Sequence, residues 1–121
     1  MSNSAITRSQ LGIATYLAPH GPLVEDTIVR ELESGIQSAH KAGEIHLVVD
    51  FANVSAINSK AIELLLDSQD ALAREAGSLK LCNTNATLEN VFALTGVDKL
   101  IEQIDSGSNS SDRLRLVKPH T

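Results

Sequence analysis

The chain has 121 residues and a formal net charge of −5, and 42% of its residues are apolar but only 2% aromatic. A single domain of this length buries roughly two-thirds of the surface that its unfolded chain exposes. The negative charge and the scarcity of aromatic side chains argue against a nucleic-acid partner, because phosphates require a basic surface and unpaired bases stack on aromatic rings. No apolar run approaches the roughly 20 residues that span a bilayer, and the polar start lacks the pattern of a secretory signal. We therefore expect one cytoplasmic domain without direct membrane insertion.

The first part of the chain predicts strand structure followed by a helix. Residues 5–8 and 13–17 form either two short strands that turn near Gly12 or one longer irregular strand. A turn at residues 19–22 (PHGP) follows, and a helix is predicted over residues 24–41. Its apolar residues recur at the spacing of one buried helical face: Val24, Ile28, Leu32, Ile36 and Ala39.

The most informative stretch is residues 44–66, which lead from a strand through a loop into a helix. The almost unbroken apolar run at residues 45–49 predicts a strand buried on both faces of a sheet. The run ends at Asp50, and the next helix begins with Asn58 or Ser59 as its N-cap. Ligand and partner sites of open α/β sheets collect at such strand-to-helix loops.

The helix predicted over residues 59–76 has a polar side and an apolar side. The polar stripe consists of Lys60, Glu63, Asp67, Asp70 and Arg74, and the sheet-facing side consists of Ala61, Ile62, Leu65, Leu72 and Ala76. Ser59 falls on the outer side of this helix, and Leu66 lies on its flank.

Later elements alternate in the same way. A strand at residues 78–82, a helix at 86–95, a helical turn at 97–101 and an edge strand at 102–104 are predicted. The alternation predicts an α/β fold in which helices pack on a sheet. Residues 106–121 have the composition of a flexible tail, and the end of this tail, in which Leu alternates with Arg, is either an added edge strand or disordered.

The residues that most often carry catalysis form no recognisable catalytic or metal-binding pattern. His20, His40, His46 and His120 lack the spacing of metal ligands. Cys82, at a strand end, is interpreted as a small buried hydrophobic residue. The sequence contains neither a nucleophile elbow nor a glycine-rich phosphate loop. We therefore expect no enzymatic activity, no metal and no cofactor.

Two residues of the central stretch each have a structural and a functional interpretation. Asp50 is either a carboxylate that accepts hydrogen bonds from loop N–H groups or the phospho-acceptor of a receiver-like domain. Ser59 is either a helix cap or a regulatory phosphorylation site. A phosphate on Ser59 adds a charge of about −1.5 to −2 at the start of a helix, and this charge repels any acidic group of a docked partner.

Several segments together resemble the STAS domain of the bacterial anti-sigma factor antagonists. They are residues 21–23 (GPL), 47–66 (LVVDFANVSAINSKAIELLL), 77–82 (GSLKLC) and 88–101 (LENVFALTGVDKLI). The resemblance covers residues 12–105 and implies a domain at residues 1–105. It also implies the fold of that family, which is a four- to five-stranded mixed sheet with helices packed mainly on one face.

The resemblance also implies a regulatory site at the start of the second helix. The family motif is Asp-Ser-Ser/Thr-Gly, and this chain has Asn58, Ser59, Lys60 and Ala61 in its place. By resemblance, Ser59 is phosphorylated by a GHKL-type serine kinase that acts as an anti-sigma factor, and a PP2C-type phosphatase restores it. The unphosphorylated protein binds the kinase, and the phosphoprotein releases it.

The expected contact surface surrounds Ser59. It consists of Gly21, Leu23, Asn58, Lys60, Glu63, Leu66 and Asp67. The alternative is a non-switching STAS subunit, either a stressosome-type scaffold or the small partner of a lipid-transport ABC ATPase. Whether the protein dimerises stays open.

Overall fold

The computed structural model of the protein describes residues 5–104. The predicted tail at residues 106–121, including His120, lies outside the described residues. The elements are β1 Ile6–Leu11, β2 Ala14–Pro19, α1 Asp26–Lys41, β3 His46–Asp50, α2 Ser59–Ala73, β4 Ser78–Cys82, α3 Ala86–Thr95, α4 Val97–Leu100 and β5 Gln103–Ile104.

The strands form one five-stranded mixed sheet in the order β1-β2-β3-β4-β5. β1 pairs antiparallel with β2, and the remaining neighbours pair parallel. Of the two arrangements left open for the start of the chain, the one with two strands is correct. Gly12 takes a left-handed φ of 64° in the turn between them, a conformation that glycine adopts without steric cost.

The helices lie on one face of this sheet. Each crossover leads to the next strand in the same direction, and right-handed crossovers of this kind leave their helices on the same side. Leu17, Leu47 and Leu79 face the helices and form a single core with them. The predicted fold class is therefore confirmed. The strand order also differs from the 2-1-3-4-5 order of receiver-like domains, which removes the structural basis for Asp50 as a phospho-acceptor of that kind.

The predicted first helix is wrong at its start. α1 begins at Asp26, and Val24 is 46% exposed rather than part of the buried face. The preceding residues are held instead by a parallel bridge between Leu23 and Ile57. Helical spacing alone does not reveal this bridge, because its partner is far along the chain.

The predicted second helix is wrong at its end. α2 stops at Ala73, and Ala76 is exposed with a φ of 64°. The reason is the adjacent Gly77, where a Cβ atom would lie 2.2 Å from the carbonyl oxygen of Ile45. The chain must turn sharply to bring this glycine against the start of β3, so the helix cannot continue.

Candidate functional site

Two loops meet at the edge of the sheet where β2, β3 and β4 end. The loop that leads into α1 is hydrogen-bonded along its length to the loop that leads into α2. The Gly21 N–H donates to the Asn53 carbonyl (3.1 Å), the Leu23 N–H to the Ala56 carbonyl (2.8 Å) and the Asn58 N–H to the Leu23 carbonyl (3.1 Å). The two loops thus pair many of each other's backbone groups and form a platform from which α2 begins.

Gly21 and Leu23 hold the first loop against the core of the domain. Gly21 has a φ of 148°, and a Cβ atom there would lie 2.7 Å from the Ile28 side chain. Leu23 is fully buried in the core. Its side chain is thus not available to a partner, and its place in the expected contact surface is limited to positioning the backbone of the loop.

Asn58 is the cap of α2, which settles the two alternatives for that role. Its Oδ1 atom accepts the Ala61 N–H at 2.9 Å, and its carbonyl accepts the Ile62 N–H at 3.0 Å. Ser59 is the first residue of the helix, and its side chain is exposed. Within residues 5–104 no hydrogen bond involves its hydroxyl group, so this group is both unpaired and accessible from solvent.

The first turn of α2 also presents unused donors. The backbone N–H groups of Ser59 and Lys60 have no acceptor within the described part of the chain, because the capping bonds of Asn58 go to the two residues that follow. Free N–H groups and the helix dipole make such a terminus favourable for an anion. A phosphate on the Ser59 oxygen would lie at this end of the helix.

Three charged side chains cluster where the starts of α1 and α2 meet. The Lys60 Nζ atom lies 3.8 Å from an Asp26 carboxylate oxygen, and Arg30 approaches the same carboxylate at 3.7 Å. All three side chains are more than 60% exposed, so these ion pairs contribute little to stability. Asp26 was not predicted as part of the site. Its place in the first turn of α1 was visible in the sequence, but its proximity to Lys60 depends on how the two helices pack.

The predicted surface residues of α2 lie on different sides of the helix. Glu63 and Asp67 are exposed and line a groove of about 520 Å³ between α1 and α2. Leu66 is half-buried and packs against the core rather than lining this groove. Asn58 and Lys60 thus flank Ser59 at the helix start, Gly21 lies in the loop that pairs with the approach to α2, and the two carboxylates extend the surface along one flank.

His20 and Asn53 reinforce the platform and were not predicted to do so. One ring nitrogen of His20 is hydrogen-bonded to the Thr7 hydroxyl, and Asn53 Nδ2 lies 3.3 Å from the other ring nitrogen. The imidazole therefore links β1 to the loop before α2. No signal in the sequence indicates this contact, because it joins segments far apart in the chain.

The contacts of Asp50 and Cys82 indicate structural roles for both residues. Asp50 Oδ1 accepts the Ala52 N–H at 3.0 Å and the Asn83 side-chain N–H at 2.9 Å, as expected for a carboxylate that organises a loop. Burial, together with the negative charge of Asp50, raises the pKa of the Cys82 thiol to about 12. Cys82 is thus protonated at neutral pH, which fits its interpretation as a small buried hydrophobic residue.

The described residues also allow two general statements. Residues 5–104 contain no group of three or more His, Cys, Asp and Glu side chains arranged to hold a metal ion. Within the same range no helix combines the length and apolarity that a membrane span requires.

Comparison with known proteins identifies the family. The profile of the STAS domain matches residues 7–111. A comparison with curated proteins finds no match. Among solved structures, the unphosphorylated form of the anti-sigma factor antagonist SpoIIAA is similar, with 21% identity and a TM-score of 0.69 over 92% of this chain and 98% of that one.

Two further structures show the same fold. The phosphorylated form of SpoIIAA, a Bacillus cell fate determinant, has 21% identity and a TM-score of 0.68 over 91% of this chain and 99% of that one. An anti-sigma factor antagonist from Mycobacterium paratuberculosis has 16% identity and a TM-score of 0.74 over 91% and 92%. With the profile match over most of its length, the chain belongs to the STAS domain family.

Proposed function

We propose that the protein is a partner-switching regulator of the anti-sigma factor antagonist type. In its unmodified form it binds a GHKL-type serine kinase that acts as an anti-sigma factor. Phosphorylation of Ser59 releases the kinase, and a PP2C-type phosphatase restores the binding form. The observation that carries the proposal is the exposed, unbonded hydroxyl of Ser59 at the first residue of α2.

The surroundings of Ser59 explain why a phosphate would act on the partner rather than on the fold. The free N–H groups at the start of α2 stabilise an anion there, so the helix tolerates the modification. The neighbouring surface already carries the carboxylates of Asp26, Glu63 and Asp67. A partner fitted to the unmodified surface would have to desolvate a further charge of about −1.5 to −2 at the exposed Ser59, and any acidic group that it places beside Lys60 would be repelled.

The residues that depart from the family motif are compatible with this role. Asn58 forms the capping hydrogen bond without a negative charge beside the serine. Ala61 is fully buried and has ordinary helical geometry, so the helix start does not require glycine at this position. Lys60 places a cation next to the hydroxyl, and we expect the cognate kinase to accommodate it.

Further parts of the proposal concern the setting in which the protein acts. We propose that it has no catalytic activity of its own and acts in the cytoplasm. The high pKa of the Cys82 thiol and the occupied carboxylate of Asp50 support a non-catalytic role. The surface around Ser59 is net acidic, which fits a protein partner rather than a nucleic acid.

A phosphorylation assay tests the site. The full chain is incubated with ATP and the GHKL-type kinase that copurifies with it, and the product is analysed by mass spectrometry. We expect one phosphate on the wild type and on Ser55→Ala, and none on Ser59→Ala. Ser55 is a matched control because it is exposed in the loop that leads to Ser59. A phosphate retained by Ser59→Ala would contradict the assignment, as would copurification of an ABC ATPase in place of a kinase.

A further inference from the structure

The groove between α1 and α2 has an acidic rim and an apolar floor. Its rim carries the carboxylates of Asp26, Glu33, Glu63 and Asp67 against the fixed cations of Arg30 and Lys60. Its floor is apolar and is formed in part by Val29, Ile36, Leu64 and Leu72. A segment that fills this groove must therefore combine basic and apolar side chains.

The end of the chain has this composition. Residues 113–121 (RLRLVKPHT) contain three of the ten Lys and Arg residues of the protein and none of its fifteen Asp and Glu residues. In an extended segment alternate side chains point to opposite sides. Leu114 and Leu116 would then share one side, and Arg113 and Arg115 the other. The long arginine side chains can still bend toward a rim while the leucines cover the floor.

The described part of the chain ends at Ile104, at the edge of the sheet where the loop into α2 begins. β5 runs parallel to β4, with Ile104 paired with Cys82, and Cys82 in turn with Asp50 at the end of β3. The chain therefore leaves β5 at the same edge of the sheet as the loop that leads to Ser59. Two strand spacings, or about 10 Å, separate β5 from β3. The eight residues 105–112 can span up to about 26 Å when extended, which exceeds this separation and leaves length to rise to the helix layer that holds the groove.

We propose that residues 113–121 dock in the groove between α1 and α2 of the same molecule. A tether of this length gives an effective concentration in the millimolar range, so a contact of only about millimolar intrinsic affinity occupies the groove for a large fraction of the time. The electrostatic part of this attraction is exposed to solvent, so salt weakens it. If the proposed function holds, the docked segment covers Glu63 and Asp67 and competes with the partner kinase for one flank of its binding surface.

Paramagnetic relaxation in the isolated full-length protein tests the placement. A nitroxide is attached to Thr121→Cys, and Cys82 does not interfere because it is 1% exposed and its thiol has a pKa of about 12. We expect stronger broadening of the amide signals of Glu33, Glu63 and Asp67 than of those of Ser9 and Val48, which lie on the sheet face without helices. The broadening should fall at high salt and in a variant of equal length that carries Arg113→Glu and Arg115→Glu.

Three outcomes would overturn the proposal. They are broadening confined to the face of Ser9 and Val48, broadening of the groove that charge reversal leaves unchanged, and broadening that arises only between molecules in a mixture of spin-labelled and isotope-labelled chains. The last outcome would assign the groove to a second copy. No kinase enters this experiment, so its failure leaves the proposed phosphorylation of Ser59 unaffected.

Discussion

Asn58 and Ser59 are neighbours with separate tasks. Both residue types are preferred N-caps, and the sequence alone left the cap of α2 open between them. In the structure the Asn58 side chain accepts the hydrogen bond from the Ala61 N–H. Ser59 is the exposed first residue of the helix and has no part in the cap. This division allows the hydroxyl to be modified without removing the hydrogen bond that starts the helix.

The division predicts unequal effects of two alanine substitutions. Asn58→Ala should lower the free energy of unfolding by about 1 kcal/mol, because the Ala61 N–H loses its acceptor. Ser59→Ala should change it by less than about 0.5 kcal/mol, as for an exposed residue without a partner. Urea denaturation measures both. Asn85→Ala is the matched control, since Asn85 caps α3 in the same way by accepting the Leu88 N–H at 2.8 Å. A loss for Ser59→Ala as large as that for Asn58→Ala would show that the serine is the cap.

Periodicity and turn residues predicted which segments form helices and strands. The strand at residues 78–82 and the helix at residues 86–95 have the expected bounds, and the latter ends at Gly96 with a left-handed φ of 84°. The errors lie where a contact distant in sequence competes with local preference. The bridge from Leu23 to Ile57 delays the start of α1, and the approach of Gly77 to Ile45 ends α2 early.

The same substitution at two glycines should therefore have opposite effects. Gly77→Ala places a Cβ atom 2.2 Å from the Ile45 carbonyl oxygen, so the backbone must shift, and we expect a loss of about 1–3 kcal/mol of stability. Gly35 lies inside α1, where the nearest atom to an added Cβ is Leu17 Cδ2 at 3.6 Å. Gly35→Ala should stabilise the protein by about 0.5–1 kcal/mol, because alanine favours the helix. The melting temperatures of both variants test these predictions, and a stabilising Gly77→Ala would contradict the close approach of Gly77 to Ile45.

For the fold of the complete domain, the alternation of strands and helices predicted an α/β architecture with helices packed on a sheet, and the resemblance supplied the one-sided mixed sheet. Only part of the candidate site could be predicted from the sequence. Asn58, Ser59 and Lys60 are contiguous, so a local pattern identified them. The groove, the contact of Asp26 with Lys60 and the full burial of Leu23 depend on the packing of α1 against α2 and on the pairing of two loops, and no local pattern encodes them.

The buried thiol of Cys82 predicts that the stability of the protein depends on pH. The thiol of Cys82 has an ordinary pKa of 9.0 and a pKa of about 12 in the fold. Above pH 9 the unfolded chain therefore loses this proton while the folded chain keeps it. The contribution of the thiol to the free energy of unfolding is fully present below pH 9 and is lost as the pH rises toward 12.

Comparison with Cys82→Ala isolates this effect. By about pH 10.5 the wild type should have lost about 2 kcal/mol more than the variant, relative to neutral pH. Urea denaturation at several pH values gives both curves. Tyr16, whose pKa is raised by burial and by the nearby Cys82 and Asp50, contributes to the loss in both proteins. Parallel curves for the wild type and the variant would show that Cys82 is not protected from ionisation in the fold.

The affinity of the kinase for a chain with phosphoserine at position 59 tests the proposed switch most directly. Isothermal titration calorimetry would compare this protein with the unmodified chain, and a chain with phosphoserine at position 55 serves as the control for added charge in the loop that leads to Ser59. We predict that phosphate at Ser59 weakens binding about a hundredfold or more, because an interface formed around the neutral hydroxyl has to desolvate the added charge, and that the control binds much more tightly. Equal affinity of the unmodified and the phosphoserine-59 chains would contradict the proposal that charge at the start of α2 decides whether the partner docks.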